Sequence, residues 1–355
     1  MSEEGERSEE KADEADSEET KPKKKESAPE KEKKKDKKRK VKGRIPYPLS
    51  LLVNIRMLRR LVQIFFIFAI NAYIFTAWFG LEQVTIFWEQ FRNLLPTLPI
   101  IAPLEAPFAM IAGSFDTMQR EFTAGIFPFF TLGAMIIILA IVGRAACGWV
   151  CPIGTFQDFA SLLTREKIRP APNTEEELRR VKGYLFIIVM FLAVWMFVSV
   201  LQNSAENLIN TLGLFAYAAF DPINPAYIIF KLAPEQAWPT SIETLWLIST
   251  WGIFLAQIGF VALVVIVSIW FPRWFCRWLC PAGWLYGVIA RDSLIGIGRN
   301  PAKCTPKECN TCEVVCPMNI RIRRFPYQHV HSPDCIMCLE CLSHCPNGAI
   351  EIKFG

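Results

Sequence analysis

Four stretches of this chain carry no charged residue: 61–81, 122–143, 183–205 and 244–272. A helix needs about 20 apolar residues to cross a hydrocarbon core roughly 30 Å thick, and each run meets that length. Buried core helices of a soluble protein are the competing reading, but such helices are usually shorter and amphipathic. The runs therefore predict four transmembrane helices. A long, densely charged stretch precedes the first one, which argues against a secretory signal peptide.

The net charge of +5 hides an asymmetry. Residues 1–20 hold ten Asp/Glu against two Lys/Arg, and residues 21–44 hold fourteen Lys/Arg against four Asp/Glu. Such a tail has too little apolar surface to fold and reads as disordered over 1–48. Its lysine run would also suit nucleic acid, but it abuts the first apolar run, where basic residues fix orientation and meet anionic lipid. The expected partner is the membrane and not nucleic acid. With the tail inside, the loop 82–121 falls outside with two Arg against five Asp/Glu, and 206–243 falls outside with one Lys against four acids. Residues 165–182, with six Lys/Arg, and everything from Arg273 onward fall inside. The expectation is a multi-pass protein of the cytoplasmic membrane with both termini in the cytoplasm.

The outer loops are themselves apolar. NLLPTLPIIAPL (93–104) and NLINTLGLFAYAAF (207–220) are too short to span and should lie at the interface or dip back in. They share NLxxTL. The inner loop holds Thr174 and Glu177 at the spacing of a capping box, which would start the third membrane helix.

Two identical signatures close the second and fourth runs. CGWVCPIG (147–154) and CRWLCPAG (276–283) both read C-x-W-x-C-P-x-G. The duplication, with the shared NLxxTL, predicts two pseudo-repeated helical hairpins of the same orientation. Cys147 and Cys151, like Cys276 and Cys280, share a helix face at i and i+4. Pro152 and Pro281 should end those helices, and Gly154 and Gly283 should permit a tight turn. Trp149 and Trp278 suit interfacial anchoring. The four thiols admit three readings: a further metal centre, redox-active dithiols that exchange electrons or bind copper transiently, or packed thiols. Duplication of the whole signature disfavours the last.

The remaining eight cysteines lie in the last 55 residues. CTPKECNTCEVVCP (304–317) and CIMCLECLSHCP (335–346) each give three closely spaced thiolates and a fourth before proline. In two-cluster ferredoxins that fourth cysteine ligates the other cluster. One [4Fe–4S] cluster is thus expected on Cys304, Cys309, Cys312 and Cys345, the second on Cys335, Cys338, Cys341 and Cys316. Disulfides do not suit a reducing compartment, and zinc prefers two separated pairs. The first run has a four-residue spacer where the second has two, giving a small bulge near Thr305–Glu308. Short strands are expected at Ile320–Ile322 and Ala349–Phe354. The three histidines, His329, His331 and His344, all lie in this tail and read as surface residues. None is in an apolar run and no C-x-x-C-H occurs, so no haem is expected.

The fold class is then an α-helical membrane protein of four transmembrane helices with a small α+β two-cluster ferredoxin domain. Its parts are a charged tail (1–48), a membrane domain (49–299) and a ferredoxin domain (300–355). This arrangement resembles the NapH/NosR/FixG group of membrane polyferredoxins over about residues 50–355, and is most similar to its NapH type, which lacks added domains. The charged tail departs from that type. The resemblance implies electron transfer between the quinone pool and a partner redox subunit, an iron–sulfur protein or cytochrome, as part of a quinol dehydrogenase or respiratory reductase. The alternative is a copper-handling or reductase-maturation factor. All twelve cysteines fall on the cytoplasmic side of a ~30 Å core, so electrons reaching an outer acceptor need a quinone or another subunit. Polar candidates for a quinone slot are Asn71, Gln257, Arg144 and Arg273.

Overall fold

The computed structural model describes residues 55–70, 80, 83, 86, 111–164, 166–233, 248–305 and 309–354. The tail, Asn71 and the segment 93–104 lie outside the described residues. The chain is mostly helical. Helix α1 is Ile55–Ile70, α2 Ile111–Thr123, α3 Phe129–Val142, α4 Ala145–Trp149, α5 Pro152–Ala160, α6 Pro172–Leu201, α7 Ala205–Leu212, α8 Ile248–Trp270 and α9 Pro281–Ile289.

Two of these helices are long and apolar enough to cross a membrane, Pro172–Leu201 and Gly252–Trp270 within α8. The run 122–143 gives a helix of only 14 residues, because Pro128 precedes it and Gly143, at φ +65°, ends it. α1, α3, α6 and α8 all turn large apolar side chains outward, including Leu61, Phe65, Phe130, Ile137, Ile187, Phe191, Ile253 and Ile266. Buried between them is a core built on Phe115, Met135, Leu139, Val189, Phe220 and Phe275.

α2 lies along α6, although the sequence reads residues 82–121 as an outer loop. Phe115 packs on Phe186 with ring centroids 6.0 Å apart, and Phe122 packs on Phe197 at 5.6 Å. The segment 220–232 of the second half also turns inward: Phe220 meets Phe115 and Phe230 meets Phe156.

Three local expectations are corrected. α6 begins at Pro172 with Ala171 at its cap and no side-chain capping bond, so Thr174 and Glu177 form no capping box. Proline at the first helical position starts the helix three residues earlier. Ile320–Ile322 is not a strand. The two-stranded antiparallel sheet pairs β1, Ile295–Arg299, with β2, Ile350–Phe354, so that Ile295 faces Phe354 and Arg299 faces Ile350. β1 thus precedes the first cysteine run. Its Gly296 leaves room for the His329 ring, since a Cβ there would lie 1.7 Å from Nε2. His329 is accordingly buried at 7% exposure and stacked on His331, against the expectation of a surface residue. Between the strands lie α10, Thr311–Val314, and α11, Glu340–Ser343. They close a second core of Ile297, Met318, Ile320, Ile336 and Ile350.

Candidate functional site

The two C-x-W-x-C-P-x-G signatures fold alike. Cys151 and Cys280 have extended backbones (φ −62°, ψ 116° and φ −71°, ψ 109°), and the proline after each is the first residue of a new helix, α5 or α9. Pro therefore starts a helix here as well as ending one. Gly154 and Gly283 lie inside these helices and form no turn. Each makes room for the arginine of the other half: a Cβ on Gly154 would lie 3.2 Å from the Arg273 guanidinium, and one on Gly283 3.0 Å from that of Arg144. Arg144 and Arg273 stand three residues before their own cysteine pairs, so the halves exchange arginines.

The exchange brings the four thiols into one half-buried layer. Cys147, Cys151, Cys276 and Cys280 all pack on the helical core. Gln157 Nε2 donates to Cys276 Sγ at 3.1 Å, and Gly283 N–H donates to Cys280 Sγ at 3.3 Å. Arg273 donates to the Cys147 carbonyl at 2.8 Å. Burial pushes the Cys151 thiol up to about 12 and raises Cys276 and Cys280, with the neighbouring thiols adding to it. Such thiols stay protonated in water-like conditions and ionise on binding a metal.

Each arginine is held by a buried aspartate, but from a different source. Arg273 makes a two-pronged contact with Asp158 of α5 at 2.8 and 2.7 Å. Arg59 and Gln63 of α1 bond the same carboxylate. Burial alone would raise Asp158, yet Arg273 and Arg59 outweigh it and hold the carboxyl well below the usual range. Arg144 instead faces Asp334 at 3.6 Å and donates to the Pro333 carbonyl at 2.7 Å, both in the C-terminal domain. Asp334 is also bonded by Lys182 and lies 3.2 Å from Arg179.

The C-terminal domain thus sits directly on the cysteine layer. A Cβ on Gly148 would lie 2.3 Å from the Ile336 carbonyl, and one on Gly287 2.5 Å from that of Pro333. Trp149 Nε1 donates to the Met337 carbonyl at 2.9 Å, and Trp278 Nε1 to Glu175 at 3.2 Å. The tryptophans do structural bonding that the reading as interfacial anchors had not foreseen. Glu175 further holds Arg277 and reaches Asn319 at 3.4 Å. Cys147 packs against both cores.

The eight tail cysteines divide into two sets. Cys316, Cys335, Cys338 and Cys341 line a cavity of about 340 Å³ walled by Ile297, Met318 and Ile336. Cys304, Cys309, Cys312 and Cys345 line another of about 360 Å³. Backbone N–H groups point at the sulfurs, from Ile320 to Cys316 (3.5 Å) and from Ala349 to Cys345 (3.2 Å). Burial pushes Cys335 to about 11 and Cys338 to about 12. Cys309 is lowered by the Thr311 hydroxyl and amide. Among the described residues no three His, Cys, Asp or Glu side chains are gathered tightly enough for a single metal ion. Cavities lined by four separated thiols suit a larger thiolate-bound group, and the donor set is that of an iron–sulfur cluster.

Of the quinone-slot candidates, Gln257 donates to the Pro222 carbonyl at 3.3 Å, and Arg144 and Arg273 are consumed by the contacts above. Sequence reasoning missed Arg59, Gln63, Asp158, Glu175 and Asp334. The legible signal was an arginine and a glutamine on the face of an apolar helix, where charge is costly.

A family model described as a 4Fe-4S binding domain matches the chain twice, at residues 123–170 and 251–300. Each match encloses one of the paired signatures. An uncharacterised protein of Methanocaldococcus jannaschii is 25% identical over 220 residues, 61% of this chain and 68% of its own. The putative electron transport protein YccM of Escherichia coli is 24% identical over 70% of this chain and 60% of its own. The ferredoxin-type protein NapH of Haemophilus influenzae is 30% identical over 71% of this chain and 74% of its own. No solved structure matches the chain.

Proposed function

Because the chain belongs to the NapH-like polyferredoxin family, we propose that it is a membrane electron-transfer subunit. It would pass electrons between the quinone pool and a partner redox protein through iron–sulfur centres. The four outward apolar faces of α1, α3, α6 and α8 support four membrane helices, with both termini and all cysteines on the cytoplasmic side. Cys316, Cys335, Cys338 and Cys341 would hold one [4Fe–4S] cluster, and Cys304, Cys309, Cys312 and Cys345 the other. Cys147, Cys151, Cys276 and Cys280 would hold a further centre at the membrane edge.

The observation that carries this reading is the stacking of the three thiol sets. The layer of paired cysteines touches the segment Pro333–Cys338, and that segment lines the first tail cavity. Cys316 and Cys345 each belong to one sequence run and line the other's cavity, which joins the two cavities through the backbone. Clusters held by these quartets would supply one-electron relay sites, in the order membrane edge, then Cys335 side, then Cys304 side. The Gly148, Gly287 and Trp149 contacts keep the domain seated, and the Arg144 and Arg273 guanidiniums offset the negative charge of four thiolates. Cys309 is at the outer end and only slightly buried, which suits contact with a soluble or peripheral redox partner.

Iron and acid-labile sulfide per chain test the reading. Two cubanes give about eight irons. Wild type should exceed that, and a variant with Cys147, Cys151, Cys276 and Cys280 changed to serine should fall back to it. Equal iron in both proteins would remove the membrane-edge centre and favour thiol exchange or copper handling at the pairs.

A further inference from the structure

The inward-turning segments of the two halves meet in a buried polar knot away from the cysteines. Asp116 on α2 is 2% exposed and Asp221 is 6% exposed. Asp116 Oδ2 accepts from Asn224 Nδ2 at 3.0 Å, and Asp221 Oδ2 accepts from Arg120 at 2.6 Å. The Gln119 side chain accepts from the Phe220 amide at 3.2 Å. The second oxygen of each aspartate, Oδ1, has no hydrogen-bond partner among the described residues.

The position of the knot is unusual for two acids. Asp116 and Arg120 lie on α2 between Phe115, which packs on Phe186, and Phe122, which packs on Phe197. That is along the apolar length of α6 and not at its end. Charges at such depth are costly and mark proton or ion pathways. The groups facing Asp116 are Asp221 and Asn224 from the segment after α7, Arg120 on its own helix, and Tyr286 of α9. Tyr286 is bonded to Ser114, one half-turn below Asp116. α6 presents the rings of Phe186 and Phe197 to α2. Glu121 turns to Thr131 at 3.1 Å. Two carboxylates therefore share one guanidinium in a dry site, and like charges so placed do not both ionise. Arg120 itself is open on one side, with 42% of its side chain exposed, so the knot has a mouth.

We propose that Asp116 and Asp221 form a proton-binding pair that exchanges protons with a quinol headgroup at the Arg120 edge. The proposal rests on the quinone reading above. In the oxidising direction a quinol O–H bond breaks, its proton goes to the pair, and the electron goes to a one-electron iron–sulfur acceptor. The pair already holds one proton, so it takes a single further proton for each electron and must release it before the second. Reduction runs the same exchange in reverse. Arg120 donates to the quinone oxygen and balances the carboxylate left behind.

Infrared difference spectroscopy on the full-length, cluster-loaded protein in lipid tests this. At neutral pH the wild type should show the carbonyl band of a protonated carboxylic acid, shifted in deuterated water. The band should vanish in D116N and persist in E121Q, with iron content unchanged in both. A wild type without that band, or a band that survives D116N in folded protein, overturns the pair. With a soluble quinol analogue, D116N and D221N should slow cluster reduction at least tenfold, while dithionite reduces all variants alike. Unchanged quinol rates in both variants would overturn the coupling. If quinol fails to reduce even the wild type, the quinone reading falls, and the D116N-sensitive band separately decides the proton site.

Discussion

The two halves of the helical domain carry the same signature but complete it differently. In the first, position 158 is aspartate and holds the partner half's Arg273 from within the helical domain. In the second, the equivalent position is Gly287, which holds nothing and leaves space for the Pro333 carbonyl. The acid that faces Arg144 then comes from the tail, as Asp334. The same asymmetry recurs at Gly148, which admits Ile336, and Arg277, which pairs with Glu175. At each of these two positions a glycine in one half admits the cysteine-rich domain, while its counterpart in the other half carries a charge bonded within the helical domain. The difference teaches which face is the dock.

The comparison breaks most visibly at the two aspartates. Asp158→Asn strips the charge facing Arg273, while Arg59 keeps Glu340 at 3.0 Å, and leaving the buried Arg273 cation unpaired costs about 3–5 kcal/mol. The loss should fall on the helical domain, read as a lower thermal midpoint in detergent and a disturbed environment for Trp274. Asp334→Asn removes the charge facing Arg144, Arg179 and Lys182, a comparable cost that should fall on the dock. Hydrogen exchange should rise over 333–341 while the helical domain keeps its midpoint. Equal global destabilisation by both would refute the division of roles.

The glycines sharpen the same contrast on a smaller scale. Gly148→Ala and Gly287→Ala each press a methyl group on a backbone carbonyl of the C-terminal domain, and overpacking of this kind costs about 1–3 kcal/mol. Both should loosen the 333–341 segment to protease while the four thiols of the membrane edge stay in place. Gly133→Ala, with nothing within 4 Å of the added carbon, is the control and should change neither. Trp149→Phe removes one hydrogen bond to Met337, about 0.5–1.5 kcal/mol. It should weaken docking, whereas Trp278→Phe acts on Glu175 and the α6 attachment.

Much of the chemistry was legible in the sequence because cysteine spacing is a local property. The tail runs name their own quartets, and each expected quartet lines a single cavity. The duplicated signature announced a repeat, and the family model finds it twice. What the sequence hid is the crossing of the halves. Gly154 and Gly283 read as turn residues because their neighbours are prolines, yet their task is to admit an arginine from a segment over a hundred residues away. Asp158 carries no local signal for the same reason, since Arg273 is over a hundred residues away. Asp116 is bonded by Asn224, a partner over a hundred residues away that no local pattern reveals. The capping box at Thr174 failed because Pro172 starts the helix three residues earlier, which leaves Thr174 inside its first turn.

Acidification gives the subtlest contrast. Asp158 has a folded-state pKa depressed by Arg273 and Arg59, so its stabilisation is fully present above the unfolded carboxylate value of about 3.9 and is lost as pH falls toward the folded one. Between neutral pH and about 5, the Arg59–Asp158–Arg273 contact should be unaffected, and it should contribute fully and without pH dependence to the thermal midpoint of the wild type. Below about 4 the gap between wild type and D158N should narrow, because protonation of the unfolded chain penalises only the protein that still holds the carboxylate. Measuring both midpoints across pH 3–7 checks the sign. A gap that stayed constant across that range would mean that Asp158 titrates alike in the folded and unfolded chains, and that the crossed arginine is held by its carbonyl and glycine contacts alone.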